Sequence, residues 1–130
     1  MKLLFIVPPQ ITKTPDNRVD YKPNVTIPLG SLYMAAYLRS QDWQGEMKVY
    51  DARISGDLLK EEGKEEKEAR TIFGDSWQTM SKTIADYDPD VIAISNMFSV
   101  QIDAALETAK ICKEASPNAT TVLGGPHAST

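Results

Sequence analysis

Val122-Leu123-Gly124-Gly125-Pro126-His127-Ala128-Ser129 decides how the chain is read. An apolar run stops abruptly on two glycines. Gly-Gly allows positive φ and leaves no Cβ in the way, so something large can lie against the backbone. Pro126 then fixes the exit direction, because its φ is locked. A buried strand ending in this way predicts a ligand at the carboxyl edge of a parallel sheet, where open α/β folds hold their sites. From these residues alone, a tight strand-to-helix turn is the competing explanation.

Working outward, Thr120 to Leu123 is the last of four strands. Leu3 to Val7 is an unbroken apolar run, as for a strand covered on both faces; Pro8 and Pro9 end it, since neither can donate to a ladder. Met47 to Tyr50 is the second strand and ends on Asp51. Val91 to Ile94 is the third and ends on Ser95-Asn96-Met97-Phe98-Ser99. Between them, Pro28 opens a helix whose Leu29, Leu32, Tyr33, Ala36 and Tyr37 are spaced for one buried face. Gly30 inside that helix has two readings, close packing on the sheet or close approach of a ligand, and packing is the one preferred. Phe73, Trp77, Met80 and Ile84 predict a second helix running to about Tyr87. Ile102, Ala105, Leu106 and Ala109 mark a third, with Ser99 as N-cap. The polar, proline-containing residues 10–27 read as a long connection, and the charged residues 52–70 as a solvated helix or loop. Alternating strands and helices predict a parallel sheet with right-handed crossovers. The fold class is therefore α/β: a three-layer, Rossmann-like (flavodoxin-like) sheet with helices on both faces. The 130 residues make one domain, 1–130, read as a truncated piece of a longer protein.

Composition narrows the chemistry. With 42% hydrophobic and 25% charged residues the chain is an ordinary globular one. A net charge of −4 argues against nucleic acid, which wants a basic face. The single cysteine, Cys112, excludes an internal disulfide and a thiolate cluster; it reads as a small buried hydrophobe. The short apolar N-terminus is neither a signal peptide nor a membrane span. The expectation is a cytoplasmic protein with no membrane partner, and an exposed sheet edge could drive self-association.

The turns exclude several ligands. A dinucleotide wants G-x-G-x-x-G after the first strand, where Pro8-Pro9-Gln10 stands. A phosphate loop is missing, and a phospho-receiver would need an aspartate where Ser95 stands. Asp51 sits where a ribose-binding acid would, a weak signal alone. No Ser/His/Asp order, metal spacing or carboxylate pair points to catalysis. What remains is a serine after strand three and a glycine pair after strand four.

Ser95-x-Met97 followed by Gly124-Gly125 resembles the S-x-L…G-G half of the cobalamin-binding fold. The cobalt-ligating D-x-H-x-x-G of that family is absent after the first strand. Asp51-Ala52-Arg53-Ile54-Ser55-Gly56 copies its spacing after strand two, but arginine stays protonated and cannot ligate cobalt. The Pro-Pro strand end, the Pro28-Leu29-Gly30 helix start, Pro89-Asp90-Val91 and Gly124-Gly125-Pro126-His127-Ala128-Ser129 together look like the N-terminal domain of cobalamin-dependent radical SAM enzymes, of the methyltransferase or Mg-protoporphyrin ester cyclase kind. These commonly lack the histidine ligand. The resemblance implies a cobalamin-binding module. Gly124, Gly125, Pro126 and His127 would line the nucleotide tail. Ser95, Asn96, Met97 and Phe98 would lie along the tail or beneath the corrin, and Pro8 and Pro9 would face the corrin edge. It implies no catalytic or metal-ligating residue here. A [4Fe–4S] cluster and S-adenosylmethionine would belong to a C-terminal radical SAM domain, because one cysteine cannot hold the cluster. The rival is a flavodoxin-like domain that binds a nucleotide or flavin, or a non-catalytic interaction module.

Overall fold

The computed structural model describes residues 1–12, 27–61, 70–95 and 101–125. Four parallel strands form the main sheet: β1 (Lys2–Val7), β3 (Glu46–Asp51), β6 (Val91–Ser95) and β7 (Thr120–Gly124), in the order β3-β1-β6-β7. Three helices connect them: α1 (Leu29–Ser40), α2 (Trp77–Tyr87) and α3 (Ile102–Ala115). The fold is the expected α/β one. The strand order reverses between β1 and β6, so the switch point of the sheet lies at the carboxyl ends of those two strands.

Side-chain alternation splits the sheet into two faces. Leu4 and Ile6 of β1 and Ile92 and Ile94 of β6 pack with Met80 and Ile84 of α2 and Ala105 and Cys112 of α3, all essentially inaccessible to water. Each large side chain there contributes roughly 1.5–3 kcal/mol by leaving water. Ser76 caps α2, its Oγ accepting from the Thr79 N–H at 3.1 Å. The opposite face, with Leu3, Phe5, Ala93 and Val122, looks toward α1.

Four expectations need correction. The face that α1 turns inward holds Ser31, Ala35 and Leu38; Leu29, Leu32, Tyr33, Ala36 and Tyr37 are exposed. The helix is apolar nearly all round, so periodicity could not choose its inner side. On α3, Ala104, Ala105, Thr108 and Cys112 are buried, whereas Leu106 is exposed. Phe73 ends a strand instead of opening α2.

The fourth concerns a second sheet. Part of residues 10–27, part of residues 52–70 and residues 71–73 build three antiparallel strands: β2 (Gln10–Thr12), β5 (Arg70–Phe73) and β4 (Leu58–Glu61), in the order β2-β5-β4. Ile11, Ile72 and Ala104 form its small core, with Leu59 and Trp77 against it. The Ile11 N–H donates to Gln101 Oε1 at 3.0 Å, and Arg70 pairs with Glu107 at 2.6 Å. This sheet is thereby fastened to α3. Ser99, read as an N-cap, lies outside the described residues; Gln101 holds the N-cap position of α3. Among the described residues no helix is long and apolar enough to cross a membrane.

Candidate functional site

Ser95 and Gly124 are direct partners in the β6–β7 register. The serine and the glycine pair singled out in the sequence therefore meet at one level of the carboxyl edge. Alternation puts Ser95 on the same face as Ala93, and Gly124 on the same face as Val122. A Cβ built on Gly124 would meet nothing within 4 Å. Gly125 follows with φ of 112°, a value that glycine reaches at no steric cost and other residues rarely adopt.

Below that rim lies an open, groove-like cavity of about 500 Å³. Leu3, Phe5, Ala93 and Val122 form its sheet wall; Tyr33, Met34, Tyr37 and Leu38 form its helix wall. None of these side chains is charged, and the two tyrosine hydroxyls are the only polar side-chain groups among them, so the space suits an apolar or aromatic group. Its volume is that of a small-molecule site. The cavity arises because α1 touches the sheet mainly beside β3 and stands off from β1, β6 and β7.

On the other flank of the edge, polar groups are consumed in holding loops. Arg53 Nε and Nη2 donate to the two carboxylate oxygens of Asp51 at 2.9 and 2.8 Å, and the Arg53 N–H adds a third bond at 3.0 Å. Both side chains are buried. The Ala52 N–H donates to the Val7 carbonyl, and the Asp75 N–H to the Ala52 carbonyl. The Tyr50 hydroxyl donates to Asp75; burial, and then that carboxylate, push the phenol well above its ordinary range. Asp51 is thus neutralised by Arg53, which leaves the ribose-acid reading of Asp51 without support.

Pro9 is fully buried, beside Gly74, while Pro8 is half-buried. Asn96, Met97, Phe98, Pro126 and His127 lie outside the described residues. The structure adds the cavity walls, which sequence reasoning missed. Ala93 and Val122 stand two residues before Ser95 and Gly124, so the strand period could have found them; the helix wall had no comparable signal.

The B12 binding domain family matches residues 19–130. The chain is 31% identical over 106 residues to cytidylyl-2-hydroxyethylphosphonate methyltransferase from Streptomyces wedmorensis, covering 82% of this chain and 19% of that protein. It is also 31% identical over 127 residues to an uncharacterized methyltransferase from Pyrococcus horikoshii, covering 98% of this chain and 22% of that one. The chain spans about a fifth of the length of these relatives. No solved structure gives a significant match.

Proposed function

The chain belongs to the B12-binding domain family, and from that premise we propose that it holds cobalamin by the nucleotide tail, without a histidine on cobalt, for a larger radical SAM methyltransferase. The observation that carries this is that the paired Ser95 and Gly124 stand two residues beyond the paired Ala93 and Val122, which line the apolar cavity. The residues fit the group. The cavity matches a flat apolar base. Gly124 leaves a gap that any side chain would fill. Ser95 offers a hydroxyl where a buried ring nitrogen would need a donor.

The protein's own work is positional. The two glycines at the β7 exit let a bulky arm pass, the sheet and α1 flank the base with apolar surface, and Ser95 orients it. Pro8 and Pro9 turn the chain away from β1 and leave the carboxyl edge clear for the corrin, with Asn96, Met97 and Phe98 assigned beneath it and Pro126 and His127 beside the tail. When bound, a corrinoid supplies a cobalt centre able to carry a methyl group. A [4Fe–4S] cluster and S-adenosylmethionine belong, in this reading, to a radical SAM domain elsewhere in the full polypeptide, of which residues 1–130 are one domain. The methyltransferase names of the relatives favour methyl transfer over oxidative cyclisation.

The test is titration with hydroxocobalamin, read by absorbance. The parent chain takes up one equivalent, and Gly124→Leu binds at least tenfold more weakly. The His127→Ala spectrum matches the parent's, because in this reading no histidine sits on cobalt and His127 is the chain's one histidine. A Gly124→Leu protein that folds and binds like the parent overturns the assignment. Uptake of flavin mononucleotide in place of the corrinoid supports the flavodoxin-like alternative.

A further inference from the structure

Gly30 is the second residue of α1 and is exposed. A Cβ there would meet nothing within 4 Å, and its φ is not among the positive ones. Neither tight packing nor backbone conformation asks for glycine, which is the least favourable helix residue after proline. The expectation that Gly30 packs closely on the sheet is overturned by that open space.

Its position supplies a different reason. Residues 30, 33, 34, 37 and 38 follow the i, i+3, i+4, i+7, i+8 spacing of a single helix stripe. The last four line the cavity, so Gly30 occupies the next place on that same wall. α1 ends at Ser40, with Gln41 as its C-cap, and the chain then enters β3 at the amino edge of the sheet. The start of α1 therefore lies toward the carboxyl edge, the edge that carries Ser95 and Gly124.

We propose that Gly30 is the helix-side wall of the cavity mouth, a cofactor-contacting position whose missing side chain admits the nucleotide arm between α1 and the sheet. The mouth is then bounded by Gly30 on α1, Gly124 on β7 and Ser95 on β6. Two of these three positions carry no side chain, so the opening admits corrinoids that bear a bulky lower base. The inference rests on the corrinoid reading above.

Hydroxocobalamin and cobinamide are titrated into the parent, Gly30→Ala and Gly30→Leu; cobinamide shares the corrin ring and lacks the nucleotide arm. Gly30→Leu is expected to weaken hydroxocobalamin at least tenfold and to leave cobinamide within about twofold. Gly30→Ala is expected to weaken hydroxocobalamin about threefold while raising the unfolding midpoint by a few degrees, because a better helix former meets no clash. Higher stability with lower affinity cannot come from misfolding, so the alanine variant decides even where the leucine one fails to fold. If the parent binds and both variants bind equally well, the assignment of Gly30 falls and the corrinoid reading stands. Equal weakening of both corrinoids also overturns it. A parent that takes up neither corrinoid removes the corrinoid reading, and this inference with it.

Discussion

Cys112 shows how completely one side chain can be committed to the core. It is inaccessible to water on α3, packed with the apolar face of the main sheet. Burial pushes its thiol up from an ordinary 9.0 to about 11. The neutral form is the one the fold favours, so the associated stability is intact below pH 9. It is lost as pH rises toward 11, because the unfolded chain ionises first. On the order of 3 kcal/mol at most rides on that window. Urea denaturation at pH 7 to 10.5 is expected to show this decline in the parent and a flatter one in Cys112→Ala, which starts from a lower stability because of the cavity it leaves. Tyr50, also shifted upward, adds its own loss above pH 10. Equal slopes below pH 10 in parent and variant would rule out the thiol as the cause. Asp51 and Arg53 illustrate the opposite economy: two buried charges that satisfy each other and fix the exit of β3, leaving neither carboxylate oxygen unpaired.

Among the elements, the three-stranded sheet and α1 behave differently. The small sheet has its own core in Ile11, Ile72 and Ala104, and polar ties to α3 through Gln101 and Glu107. It is an integral flank of the carboxyl edge, so truncating its centre should be felt by the whole domain. Ile72→Ala, at a position 1% exposed, is expected to cost about 2–5 kcal/mol in chemical denaturation. A loss under 0.5 kcal/mol would mean that the small sheet melts independently. α1, by contrast, exposes Tyr33, Tyr37, Leu29 and Met34. The cavity is walled by Tyr33, Met34 and Tyr37, which lie beside its inward Ser31 and Ala35, and by Leu38, so the apolar residues of α1 do not follow a core helix's burial pattern.

At the scale of the whole molecule, a ligand that fills the cavity binds only the folded chain, since its walls come from α1, β1, β6 and β7. Hydroxocobalamin at a hundred times its Kd is therefore expected to add about 2.7 kcal/mol of stability, read as a clear rise in the thermal unfolding midpoint, with no rise for flavin mononucleotide. An unchanged midpoint under saturating corrinoid would contradict a site that needs the tertiary fold. Sequence alone determined the four parallel strands, because each carries a short apolar run, unbroken in β1 and across Val91–Ile94, bounded by polar, proline or glycine residues. It also picked out Ser95 and Gly124, whose residue types stand out at strand ends. It could not determine the inner face of α1, because an all-apolar helix carries no phase. Nor did it show the strands hidden in a charged stretch, where pairing depends on partners far along the chain: Thr71 opposite Thr12, Leu59 opposite Ile72. Tertiary structure decided that Ser95 and Gly124 are register partners and that an apolar hollow lies beneath them, since register and voids arise only when distant segments are brought side by side.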